Sequence, residues 1–257
     1  MVLEIKKISK NFGGIQALTD VSFSVEEGEI LGLIGPNGAG KTTMFNMITA
    51  MYPPSSGDIS FVGNPLSNLK PHQITEKGIC RTFQNIRLFS DLTVRENVMV
   101  GNHCRLKTNV MQSVFRTKAQ KAEEARVLAT SDEILEVVGL ANDKETIAKN
   151  LSYGAQRRLE IARALASRPR LILLDEPAAG MNEKETNDLF NLIKKIQTLN
   201  ITVLLIEHDM PLVMRVCSRI IVLNFGKKIA EGTPSSIQNN KEVIEAYLGV
   251  EEEDELA

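Results

Sequence analysis

Ile30-Leu31-Gly32-Leu33-Ile34-Gly35-Pro36-Asn37-Gly38-Ala39-Gly40-Lys41-Thr42-Thr43 is the stretch on which the fold turns. Ile30–Ile34 is continuously apolar, the mark of a parallel strand buried on both faces. Gly35 to Thr42 then match G-x-x-x-x-G-K-[ST] in full. Glycines let the backbone curl and aim its N–H groups at phosphate oxygens. A helical run from Lys41 to Met51 follows and ends at Pro53, Pro54 and Gly57. Its N-terminus adds positive partial charge at the same place. Lys41 supplies a point charge to the outer phosphates, and Thr42 a hydroxyl to Mg²⁺. Gly35, Pro36, Asn37, Gly38, Ala39, Gly40, Lys41, Thr42 and Thr43 are thus candidate contacts of a nucleoside triphosphate. The motif does not say which machine uses it.

Outward from this stretch, Val2–Phe12 and Val21–Val25 alternate apolar and polar residues and read as half-buried strands. Short strands are expected at Asp58–Val62 and Gly78–Phe83. Thr93 and Glu96 have capping-box spacing and open a helix. Lys118–Val138 reads as a long charged amphipathic helix stopped by Gly139, and a further helix runs from Ser152 to Ser167, before Pro169. Apolar strands Leu171–Asp175, Ile201–Ile206 and Ile220–Leu223 alternate with helices Glu183–Leu199 and Pro211–Cys217. Strands alternating with helices imply a mainly parallel sheet with covered faces. The acidic run Glu251–Glu255 is expected to be disordered and solvated.

With 257 residues, 43% of them hydrophobic, the chain suits one large domain or a core with a smaller lobe. Its formal net charge of −2 lacks the basic excess of a general nucleic-acid binder. No apolar run approaches the ~20 residues of a membrane-spanning helix. Met1–Lys10 has no apolar secretory core. The expected setting is cytosolic, with any membrane link made through a partner. Cys80, Cys104 and Cys217 are widely spaced and read as reduced packing residues.

Leu171–Leu174 ends in Asp175 and Glu176, acids at the end of a buried parallel strand, where ligands bind in such sheets. Asp175 suits the Mg²⁺ shell, and Glu176 can polarise an attacking water or merely cap the next helix. His208 closes the strand Ile201–Ile206. It either contacts the terminal phosphate or sits in solvent at a strand end. Gln84 either touches Mg²⁺ or caps a loop.

Leu151-Ser152-Tyr153-Gly154-Ala155-Gln156, upstream of Asp175, resembles the L-S-G-G-Q signature of ATP-binding-cassette proteins. The order of phosphate loop, Gln84, signature, acid pair and His208 matches that family across nearly the whole chain. The resemblance implies a P-loop NTPase core with an N-terminal antiparallel β subdomain and an inserted α-helical lobe. Residues 1–85 and 160–235 would form the core, 86–159 the lobe, and 236–257 a C-terminal helix and acidic tail. It implies ATP and Mg²⁺ as ligands, with Thr42, Gln84 and Asp175 near the metal and Glu176 and His208 at the chemistry. Phe12 resembles the aromatic residue that stacks on adenine; otherwise it is an edge core residue. Ser152, Tyr153, Gly154, Ala155 and Gln156 would act on a nucleotide held by a second subunit. Gly180 and Asn182 resemble the loop that links the two sites. Tyr153 departs from the first signature glycine, and Asn182 stands where Asp is usual; with Glu185 it also fits a helix N-cap.

Several stretches resemble the ATPase subunits of high-affinity branched-chain amino-acid importers: Arg81–Phe89, Asn150–Gly154, Asp175–Gly180, Ile206–Met210 and Ala246–Gly249. That likeness implies a second ATPase subunit (identical or related), integral membrane permease subunits, an indirect link to a substrate-binding protein, and a peripheral place on the cytoplasmic side of the membrane. Ile86, Leu88 and Phe89, beside Arg87, either dock a permease helix or are plain core. Urea and lipopolysaccharide transporters use similar subunits. Cassette ATPases of DNA repair or translation tend to carry two cassettes, a long coiled coil or basic surfaces, and none of these is seen here.

Overall fold

The computed structural model describes residues 1–105 and 118–254. Strands β1 (Leu3–Phe12), β2 (Ile15–Val25), β4 (Ser56–Phe61) and β5 (Asn64–Pro65) form an antiparallel sheet in the order β2-β1-β4-β5. A second sheet has the order β10-β9-β3-β8-β7-β6. It is built from β3 (Ile30–Ile34), β6 (Ile79–Arg81), β7 (Leu171–Asp175), β8 (Thr202–Ile206), β9 (Arg219–Asn224) and β10 (Lys227–Gly232). Strands β9, β3, β8, β7 and β6 run parallel, and β10 closes the edge antiparallel to β9.

Side chains on a strand alternate between faces, and this sheet is buried on both. Ile30, Ile34, Ile172, Leu174, Val203 and Leu205 face one core. Leu31, Leu33, Leu171, Leu173, Leu204 and Ile206 face the other. The first core is covered by α3 (Val94–Gly101), α4 (Lys118–Val137), α5 (Tyr153–Ala166), α6 (Glu183–Thr198) and α7 (Met210–Val216). The second is covered by α1 (Lys41–Ile48), α2 (Pro71–Lys77) and the antiparallel sheet, through Phe45, Ile74, Leu3 and Ile8. Two C-terminal helices, the short α8 (Pro234–Gln238) and the longer α9 (Lys241–Asp254), follow β10. No helix among the described residues is long and apolar enough to cross a membrane.

The structure departs from the sequence reading in four places. The second strand begins at Ile15 rather than Val21. Helix α1 stops at Ile48, because Ala50 takes a left-handed φ of 55°. Strands β5 and β10 and helices α2 and α8 were not anticipated. Each is short and mostly exposed, so its apolar pattern is weak. The acidic run expected to be disordered is helical through Asp254. Residues 106–117 of the expected lobe and the end of the acidic tail lie outside the described residues.

Candidate active site

Strand register assembles the site. Leu33 on β3 and Asp175 on β7 both stand level with Ile206 on β8. The phosphate loop, Glu207-His208 and Asp175-Glu176 therefore leave the sheet side by side at the carboxyl ends of three adjacent strands. Beyond β6, the amide of Thr82 donates to Leu173 O at 3.0 Å, which carries Phe83 and Gln84 to the same edge.

The phosphate loop is a cradle that only glycine permits at two points. A Cβ on Gly35 would lie 2.1 Å from Leu223 O, and one on Gly40 2.9 Å from Ala17 O. Both glycines have positive φ. Asn37, Gly38 and Thr42 are exposed at its rim. Lys41 is 8% exposed and donates to Gly35 O at 2.6 Å and Pro36 O at 2.9 Å. Burial pulls its ammonium below the usual lysine range, against the opposing attraction of Glu176 and Asp175. Lys41 and the acid pair thus share one electrostatic neighbourhood.

Asp175 is nearly buried and receives Arg81 Nη2 on Oδ2 at 2.7 Å. Arg81 also donates to Asn46 Oδ1 on α1 at 2.6 Å. Glu176 has a left-handed φ of 45°, a strained geometry for a non-glycine residue. Its amide is held by Ile206 O at 2.9 Å. Its carboxylate caps no helix; Gln84 Nε2 donates to its Oε2 at 2.6 Å. His208 Nδ1 lies 3.9 Å from the same oxygen, on a side chain 66% exposed. The structure therefore brings Lys41, Asp175, Glu176, Gln84 and His208 together, with Gln84 on Glu176.

Phe12 is 44% exposed rather than core, and meets Tyr52 edge-on with ring centroids 5.2 Å apart. Lys10 Nζ lies over both rings.

Ser152, Tyr153, Gly154, Ala155 and Gln156 lie elsewhere, at the start of α5. Ser152 is its N-cap, accepting from the Ala155 amide at 3.4 Å. Set position by position against L-S-G-G-Q, Ala155 stands fifth and Gln156 falls one place beyond. Gln156 Nε2 turns back to Leu151 O at 3.1 Å. Tyr153 is exposed and lies beside Gly180. Asn182 is the N-cap of α6 in a full capping box with Glu185.

Sequence reasoning missed several residues. Arg81 reads as strand interior, and only the pairing of β6 with β7 aims it at Asp175. Glu207 is buried and accepts from the amides of Ala178, His208 and Asp209 at 2.7, 3.0 and 3.3 Å. Burial raises its carboxyl pKa, opposed by those amides. It ties the 178–182 loop to the end of β8. The buried pair Arg157–Glu160 on α5, with Nη1 2.9 Å from Oε2, and the acceptance of the Gly154 amide by Glu185 Oε1 at 3.3 Å had no periodic signal either. A charge directly after an apolar strand, as at Glu207, was the one clue available.

A strand-end phosphate loop facing paired acids, with a serine-capped helix apart from it, defines a nucleotide-binding cassette. The family model described as ABC transporter matches residues 18–179, and the chain belongs to that family. A further model, branched-chain amino acid ATP-binding cassette transporter, matches residues 227–253. The chain is 47% identical over 249 residues to the high-affinity branched-chain amino acid transport ATP-binding protein BraF of Pseudomonas aeruginosa, covering 96% of this chain and 98% of that protein. Among solved structures, it resembles the ADP conformation of MJ1267, an ATP-binding cassette of an ABC transporter. There the TM-score is 0.84 and the identity 34%, over 96% of this chain and 98% of that one. It also resembles a dimeric post-hydrolysis state of the cassette MJ0796 bound to ADP and Pi. That match has a TM-score of 0.75 and 27% identity, over 90% and 98% of the two chains.

Proposed function

We propose that the chain is the ATP-hydrolysing subunit of an importer for branched-chain amino acids. It would work as a dimer on the cytoplasmic face of permease subunits that receive substrate from a binding protein. The convergence of Lys41, Asp175, Glu176 and His208 at adjacent strand ends carries the ATPase reading. Near-full-length similarity to BraF supports the substrate.

In this reading the triphosphate takes over Lys41 from the carbonyls of Gly35 and Pro36, and Phe12 offers a face to the adenine. Thr42, Asp175 and Gln84 would hold Mg²⁺. The donor set fits that ion, which takes one or two carboxylates together with substrate phosphates. When bound, it neutralises charge on the phosphate oxygens. Glu176 polarises the attacking water, and His208 steadies it from the terminal-phosphate side. Ser152 and the Gly154 amide, once the latter leaves the Glu185 carboxylate that holds it at 3.3 Å, act on the partner subunit's nucleotide, so each site is complete only in the two-fold pair. Gly180 and Asn182 link the two sites.

Residues 1–85 and 160–235 serve as core, 86–159 as lobe and 236–257 as C-terminal segment. Between core and lobe lies a groove of about 620 Å³ lined by Phe83, Arg87, Phe89, Val100 and Arg163, with Phe89 49% exposed. This groove suits a helix of the permease.

Deleting the gene should abolish growth on limiting leucine, isoleucine or valine. The wild-type gene should restore it and a Glu176→Gln gene should not. Normal growth of the deletion strain on all three would refute the substrate assignment.

A further inference from the structure

The signature helix carries a buried ion pair that reaches the catalytic edge of its own chain. Arg157 and Glu160 face each other one turn into α5, with side chains 0% and 1% exposed and Nη1 2.9 Å from Oε2. The pair is spent on backbone. Arg157 Nη1 donates to Phe83 O and Nη2 to Gln84 O, each at 2.6 Å. Glu160 Oε1 accepts from the amides of Arg87 at 3.2 Å and Phe83 at 3.5 Å. Nη2 also lies 3.4 Å from Tyr153 Oη, in the signature itself. The 83–87 segment is thus clipped to α5 at both ends, and Gln84, inside the clip, holds Glu176.

Stability alone does not account for this arrangement. Burying two charges costs free energy that apolar residues of similar size would avoid. Arg157 Nε is moreover buried with no hydrogen-bond partner. What the pair supplies is geometry, because a planar guanidinium fixes two carbonyls and a carboxylate at once.

We propose that Arg157 and Glu160 are positioning residues that tie the placement of the Ser152-capped helix to Gln84, and through Gln84 to Glu176, in the same chain. Engagement of Ser152 and Gly154 by the opposite subunit's nucleotide then reports to the water-activating carboxylate of this subunit. The pair links the two sites from within one chain. This inference rests on the reading of Glu176 as general base.

The test uses the full chain with its partner subunits and measures phosphate release. Arg157→Lys keeps the charge but cannot span both carbonyls and Glu160. It should lower kcat about 10- to 100-fold while the KM for ATP stays within about twofold, because no group of the pair touches nucleotide. Combined with Gln84→Ala, it should add little further loss, since both act through one path. If Arg157→Lys fails to fold, the apolar pair Arg157→Met with Glu160→Met restores packing and is read the same way. An unchanged kcat per folded molecule, or losses that multiply fully with Gln84→Ala, would overturn the proposal. Glu176→Gln serves as control: if it still turns over, the general-base reading fails instead.

Discussion

Glu185 and Gly154 join the starts of two helices: the amide of Gly154, at the start of α5, donates to Glu185 Oε1 at 3.3 Å. The other carboxylate oxygen takes the amide of Asn182 at 3.2 Å, so one side chain spans the N-termini of α5 and α6. A carboxylate is favoured at a helix N-terminus by the aligned peptide dipoles. Glu185→Ala removes the reciprocal half of the capping box and the bridge together, leaving the Asn182 side chain on the residue-185 amide, and should lower stability by about 1 kcal/mol. A fall in melting temperature of roughly 2–4 °C is then expected for a chain of this size. Asn182→Asp, an equally good N-cap, should leave the melting temperature nearly unchanged. Calorimetry on the two variants checks both statements.

Glu176→Gln should retain ATP binding and lose turnover by about 10²- to 10⁴-fold, the usual contribution of a positioned general base. With hydrolysis blocked, ATP should hold two chains together. Size-exclusion chromatography with ATP should show a dimer, and a purely monomeric profile would count against nucleotide-driven pairing.

Arg81 and Asp175 form a nearly buried pair, with side chains 7% and 6% exposed. Arg81→Met leaves the carboxylate uncompensated and should cost roughly 3–5 kcal/mol. Adding Asp175→Leu should recover much of that loss, because no buried charge then remains. Urea denaturation of the single and double variants measures the recovery.

Burial pushes the Cys80 thiol up to about 11 and the Cys217 thiol to about 12, from an ordinary value of 9.0. Above about pH 9 the unfolded chain releases protons that the folded chain keeps, so stability falls as pH rises from there through the folded values. Lys41 acts in the opposite direction, since its lowered value lets the folded chain release a proton earlier. Comparing wild type with Cys80→Ala/Cys217→Ala cancels the lysine contribution. The urea midpoint should fall more steeply with alkaline pH in wild type. Both thiols should also resist alkylation near pH 8, because the thiolate is the reactive form.

The sequence by itself determined most of the buried parallel strands and the local caps. Continuous apolar runs at Ile30–Ile34, Leu171–Leu174 and Ile201–Ile206 admit few alternatives to buried parallel strands. The capping boxes at Thr93–Glu96 and Asn182–Glu185 formed as spaced. The phosphate loop was legible because its chemistry is carried by contiguous residues whose backbone conformation depends on local glycines.

Only the tertiary structure decided which side chain meets which across strands and helices. Gln84 on Glu176, Arg81 on Asp175, Arg157 on the 83–87 backbone and Glu207 under Ala178 all join residues distant in sequence. The physical reason is that a strand or helix pattern fixes which face a residue occupies. The partner on that face depends on register and crossover, which are set by packing of the whole chain and leave no periodic trace around any one of these residues.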